Sequence, residues 1–218
     1  MNRICVRVAV AAAVIAFAPP AHAASEDGGA DRIFGVLPNY TTVDKNISNG
    51  VPAAPVETTR ESFRLASLST FDPLVYPFVG VLTVTGMGPG GQTFGARYAT
   101  LFADNAVGNF MTTAVVPSLT SEDSRYYRRG EGGLLARLGY AASRSVITRT
   151  RSGASAFNIS EVAGTAAAAA LSNVYYPAAD RTLDATLSRW GTQIMWDTVA
   201  NELKEFWPDI RSRLHRSH

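Results

Sequence analysis

The stretch TLDATLSRWGTQIMWDTVANELKEFW, residues 182–207, decides the fold class. Leu183, Leu187, Trp190 and Ile194 recur at three- and four-residue spacing, and Met195, Val199, Leu203 and Phe206 continue the pattern. That is the period of a long helix with a buried stripe. Thr182 is expected to cap its start, Asp184 favours its first turn, and Pro208 is expected to stop or kink it. Residues 211–218 are then a basic tail.

Similar signals recur toward the N-terminus. Asn158-x-x-Glu161 reads as a capping-box variant opening an alanine-rich helix over 159–175, which assigns the Glu161 carboxylate to the cap. Gly132 and Gly133 precede a helix expected over 134–149. Gly95, Ala99, Ala103 and Ala106 repeat small residues along a helix expected over 95–116, closed by Pro117, where small side chains let helices approach closely. Thr58-x-x-Glu61 is a capping box for a short helix through Leu68, and Asp72-Pro73 reads as an N-cap followed by an N1 proline. Residues 73–91 carry the β-branched run Val79-Gly-Val-Leu-Thr-Val-Thr85 and are compatible with either helix or strand. The expected fold is therefore mainly α: a compact bundle of about five helices over 57–210. Residues 24–56, punctuated by proline and glycine, are expected to form an extended or disordered arm whose apolar part, Arg32 to Tyr40, docks on its own domain or, as the alternative, on a partner.

Residues 1–23 read as an export signal. Arg3 and Arg7 precede an uncharged run from Val8 to Ala18, two prolines break it, and Ala21-His22-Ala23 offers small residues for cleavage. The run is shorter than the roughly 20 residues a spanning helix needs. Cleavage changes the composition from a net charge of +2 with one cysteine to 18 basic against 18 acidic residues with none. The remaining histidines, His215 and His218, sit at the very end. A histidine-dependent triad, a Cys–His pair and a zinc site are thereby excluded, and no phosphate loop or dinucleotide fingerprint is present. No cofactor or metal is expected. The uncharged stretches 73–96, 105–121 and 162–179 read as buried helices, because alanine and polar residues give little drive into hydrocarbon.

Charge is unevenly placed. Ser124 to Ser152 holds seven arginines and a single acid, Glu131, a surplus of six positive charges in an otherwise acidic mature chain. On the expected 134–149 helix Arg137 and Arg144, with Arg151 beyond, recur every seven residues on one face. Arginine forks suit phosphate and carboxylate. Arg125, Arg128, Arg129, Arg137, Arg144 and Arg151 are the anion-binding candidates, for lipid head groups, lipopolysaccharide phosphates or an acidic envelope protein; the competing expectation is a solvated face paired with acids of the same chain. Export argues against a nucleic-acid partner.

Two polar intrusions remain. Asp197 and Asn201 extend an apolar stripe, and Asp104, Asn105 and Asn109 sit on the small-residue helix. Inward carboxylates from two helices form an acid/base pair in glycoside cleavage, so Asp104 and Asp197 are the catalytic candidates of an alternative reading as a hydrolase free of histidine and cysteine. Salt bridges to the abundant arginines are the plainer expectation for both.

The segments FADNAVGNF (102–110), DSRYYRRG (123–130), DRTL (180–183) with SRWGTQ (188–193), and NELKEFWPDI (201–210) resemble an exported, uncharacterised bacterial protein family, over residues 32 to 210. The resemblance implies a bacterial cell-envelope setting, periplasmic or peripheral to a membrane, and no catalytic residues. The expected function is structural or interactive, with binding of anionic envelope components through the arginine-rich segment.

Overall fold

The computed structural model describes residues 32–35, 39–44 and 56–216. The expected export signal and most of the arm lie outside the described residues, as does His218. The fold is mainly α. Helices α1 (Thr59–Thr70), α2 (Val75–Val84), α3 (Phe94–Asn109), α4 (Val116–Thr120), α5 (Leu134–Ser143), α6 (Ile159–Ser172) and α7 (Leu183–Arg216) alternate with short strands β1 (Thr42–Asp44), β2 (Glu122–Asp123), β3 (Tyr126–Arg128), β4 (Ile147–Thr150) and β5 (Ser155–Phe157).

α7 is the axis of the fold, 34 residues long and so about 50 Å at 1.5 Å per residue. Thr182 Oγ1 accepts the Ala185 amide as expected. The helix does not stop at Pro208, and residues 211–216 are helical instead of a loose tail. A proline cannot donate to the carbonyl four residues back, here that of Lys204. Arg128 Nε donates to that oxygen at 2.6 Å, and Arg137 Nη2 donates to the next one, Glu205 O, at 2.7 Å. Two arginines from outside the helix thus satisfy the carbonyls around the proline, and the helix continues.

The π-helical turn Phe110–Val115 joins α3 to α4. Pro117, expected to end the helix, sits instead in the first turn of α4, and the rod ends at Ser121 in a left-handed conformation. The wider turn absorbs the missing proline N–H. α6 crosses this point through Gly164, where an added Cβ would lie 3.2 Å from Met111 O and 3.4 Å from Thr112 Cα. Because both are backbone atoms, Gly164→Ala is expected to cost about 1–3 kcal/mol; an unchanged urea midpoint would show that the approach is looser than this. Gly95, expected to mediate close packing, faces nothing within 4 Å. The close approaches are made at Gly164 and at Gly108, which lies against Gln193 of α7.

α2 settles the open segment as helix. Val75, Val79 and Thr83 are its buried residues, while Pro77 and Val81, which a strand would turn to the same face, are exposed and half-buried, so the pattern is that of a helix. α1 opens at Thr58, whose Oγ1 accepts the Glu61 amide, while Glu61 turns to Arg64 instead of back to the cap. Asp72 caps the turn before α2 through the Leu74 amide and also receives Arg32 and Tyr40 of the arm. The arm segment docks on its own domain: Ile33 is buried, Phe34 meets Trp207 edge-on at 4.9 Å, and β1 pairs in parallel with β3.

The largest departure lies after α5, which ends at Ser143 and not near Arg149. The chain turns into an antiparallel hairpin of β4 and β5, with Gly153 at positive φ in its turn and β2 on the far side of β4. Val146, Ile147, Thr148 and Thr150 favour the pleated state, and Ser152-Gly153 supplies the turn. The seven-residue stripe of Arg137, Arg144 and Arg151 therefore does not exist, because only Arg137 is within the helix. Among the described residues no single helix is long and apolar enough to cross a membrane; α1 and α2, bent by 51°, pass only as a pair.

Candidate functional site

The arginine-rich segment divides into two groups. Arg125 pairs with Asp123 at 2.7 Å, and burial of that carboxylate is outweighed by the Arg125 guanidinium and the Tyr127 hydroxyl, which hold its pKa below the ordinary value. Arg128 is buried, pairs with Asp44 and donates to Lys204 O. Arg137 is buried between Glu205, at 2.9 Å, and Asp209, and its guanidinium lies 4.4 Å over the Phe206 ring. Arg128 and Arg137 attach the β3 region and α5 to the C-terminal turns of α7, and Arg125 braces its own segment through Asp123 and Tyr127.

Arg129, Arg144, Arg149 and Arg151 differ. Among the described residues no carboxylate lies within ion-pair distance of any of them. Arg151 donates to Thr59 and Ser62 of α1. The other three are stacked on tyrosines: Arg129 and Arg144 on Tyr140, at 5.9 and 4.7 Å, and Arg149 on Tyr127 at 4.7 Å. The two rings are linked, because Tyr140 Oη donates to Tyr127 O at 2.6 Å. Burial and the hydrogen bond to Asp123 push the Tyr127 phenol up to about 12, so its ring stays neutral. A surface depression of about 500 Å³ opens beside this array, lined by Arg129, Glu131, Gly132 and Tyr140. Cation–π contacts hold guanidiniums without neutralising them, so their charge stays available to an anion; Arg144 also donates to the Ser143 hydroxyl at 3.2 Å. Arg149, outside the candidate set from the sequence, joins it here.

A second centre lies between α6 and α7. Glu161, expected to serve the capping box, points elsewhere: Asn158 accepts the Glu161 amide, but the carboxyl faces Asp197 and Lys204. The negative end of the cap comes from Glu122, which accepts the Ile159 and Ser160 amides. Burial, then the neighbouring Asp197, push Glu161 up to about 9. Burial also raises Asp197 and lowers Lys204, whose ammonium donates to Thr41 of the arm at 3.1 Å. At neutral pH Glu161 therefore carries a proton and donates it to Asp197. Two carboxyls in hydrogen-bond contact are closer than the roughly 5–9.5 Å separation that glycoside cleavage needs, so the arrangement is a proton-sharing dyad and not a glycosidase pair.

Asp104, the other catalytic candidate, is elsewhere. It accepts the hydroxyls of Tyr175 and Tyr176 at 2.8 and 2.6 Å, near Arg189, whose guanidinium lies 4.3 Å over the Tyr176 ring. Burial raises its pKa more than the hydroxyls and Arg189 lower it. Arg189 precedes Asp197 by eight residues, about 12 Å along α7, and the two acids share no partner. Asn105 and Asn109 bond to one another, and Asn109 also to Thr70. Asn201 is half-buried. Sequence reasoning passed over Glu205, although the spacing of Asp197 and Asn201, continued by four, reaches it. It is fully buried and accepts from Tyr126, Arg129 N, Gly130 N and Arg137. No cluster of histidine, cysteine and carboxylates that could hold a metal ion occurs among the described residues. Compared with protein-family models, with curated proteins and with solved structures, the chain shows no match.

Proposed function

We propose that this is an exported cell-envelope interaction protein that binds an anionic envelope component through Arg129, Arg144 and Arg149. The observation that carries the reading is that these three guanidiniums have tyrosine faces and no carboxylate partner among the described residues, whereas Arg125, Arg128 and Arg137 are used up inside the fold. In a chain with balanced charge, arginines kept out of ion pairs and pre-positioned by stacking lose less side-chain freedom on binding than mobile ones. The pattern of residues 1–23 supports export, and the absence of a histidine or cysteine from the body of the chain supports binding over catalysis.

Affinity for soluble polyphosphate at low ionic strength tests the reading. The double variant Arg129→Ala/Arg144→Ala is expected to bind about 100-fold more weakly, two charge-assisted contacts of roughly 1.5 kcal/mol each being removed. Its melting temperature should stay close to that of the parent, since neither residue is in an ion pair. Binding that survives the double substitution, or is unaffected by added salt, would refute the assignment.

A further inference from the structure

We propose that the partner is an anionic lipid surface and that α5 is the element laid onto it. This rests on the reading of Arg129, Arg144 and Arg149 as an anion-binding array and names what that array faces. The observation is the outer face of α5. At 100° per residue, Leu135, Ala136, Gly139 and Ala142 share one side of the helix, opposite the buried pair Arg137 and Ala141. Leu135 is 82% exposed and Leu134, at the helix start, 64%. The helix has a single charged residue, Arg137, and that one is turned inward onto Glu205. An exposed helix face with no charge and a protruding leucine, with a second exposed leucine at the helix start, is not what a water-facing helix carries.

The rim of this face supplies the complementary charge. Tyr140 lies on its flank and holds Arg129 and Arg144, and the hairpin that follows carries Arg149 with Val146 and Ile147 exposed beside it. Apolar side chains at the centre and cations at the edge suit a bilayer, where leucines pass below the head groups while arginines remain at phosphate level. A protein partner is the poorer fit. The one side-chain hydrogen-bonding group on the face, the Ser143 hydroxyl, is already engaged by Tyr140 O and Arg144, whereas protein interfaces carry about one hydrogen bond per 100–200 Å² and aromatic anchors at their centre. α5 spans 10 residues, too few to cross a membrane, so the contact is peripheral.

The test is sedimentation of the protein, purified from the exported fraction, with vesicles of phosphatidylcholine alone or with about 30% phosphatidylglycerol at low salt. Soluble polyphosphate binding is measured in parallel. The parent is expected to sediment with the anionic vesicles, and about 0.5 M salt should release it. Leu134→Ser/Leu135→Ser should lose at least about tenfold in vesicle partitioning and keep polyphosphate binding, while Arg129→Ala/Arg144→Ala should lose both. Both leucines are exposed, so a matching melting temperature is the control for folding. Vesicle binding unchanged by the leucine substitutions overturns the role of α5. Polyphosphate binding without vesicle binding overturns the lipid partner and favours a soluble or proteinaceous anion. Equal binding to neutral vesicles overturns the electrostatic rim. Loss of both bindings in the parent overturns the underlying arginine reading instead.

Discussion

Glu205→Ala is expected to remove about 3–5 kcal/mol of stability at neutral pH, the usual cost of breaking a buried ion pair from one side. The carboxylate is fully buried and accepts two backbone amides, the Tyr126 hydroxyl and Arg137 Nε, all at 2.8–2.9 Å. Alanine leaves all four donor groups without their acceptor, including Nε of the buried Arg137 guanidinium, which keeps only Asp209 and the residue 205 carbonyl. For a chain of this size the melting temperature should fall by about 10 °C. A drop below roughly 1 kcal/mol would mean that water replaces the carboxylate and that α7 does not organise the β3–α5 region. The pH dependence has a definite sign. Burial alone would raise the Glu205 pKa, but the amides of Arg129 and Gly130, the Tyr126 hydroxyl and Arg137 outweigh it, and the value lies below the ordinary one. The stabilisation is therefore complete above the unfolded value of about 4.5 and is lost as pH falls through the folded value. Acid should thus weaken the parent more than Glu205→Ala, and the difference between them should shrink below about pH 4.

Glu161→Gln is expected to stabilise the protein in alkali. Burial and Asp197 push Glu161 up to about 9, so the folded state holds a proton that the unfolded chain releases near pH 4.5. The contribution is present below the unfolded value and is lost as pH rises through the folded one, at up to about 1.4 kcal/mol per pH unit. Glutamine keeps a neutral donor toward Asp197 and has no proton to lose. The two melting temperatures should be similar near pH 5 and diverge in favour of Glu161→Gln as pH approaches about 9. Lys204 acts in the opposite sense: burial lowers its pKa, so its contribution grows with pH below 10.5. Both proteins retain it, and the difference between their curves isolates Glu161. Parallel curves would show that the carboxyl pair does not share a proton. This experiment also separates a structural dyad from a catalytic one, because it reads folding without any substrate.

The helical class, the caps at Thr58, Asn158 and Thr182, and the docking of residues 32–35 and 39–40 were legible along the chain. Each depends on interactions within a few residues, on apolar periodicity, or on a segment too apolar to leave in water. The ends of α3, α5 and α7 were misread where a proline or a β-branched run competes with longer-range partners. Pro208 looks like a stop until Arg128 and Arg137 are seen filling the carbonyls beside it. Pro117 looks like a stop until the π turn is seen to accommodate it. Glu161 was assigned to its own cap because the local motif explains it completely, and only the packing of α6 on α7 reveals Asp197 and Lys204.

The same division holds for the candidate site. Composition alone showed that the body of the chain lacks histidine and cysteine and that its positive charge is gathered as arginine into residues 124–152. Which arginines are neutralised could not be read there. Asp123 lies two residues from Arg125, but the partners of Arg128 and Arg137, which are Asp44, Glu205 and Asp209, are separated from them by about 70–85 residues, and no spacing rule links such positions. Local sequence dictates what lies within a helical turn, because backbone geometry sets those neighbours. The tertiary fold decided which charges were spent inside the protein and left Arg129, Arg144 and Arg149 stacked on tyrosine at its surface.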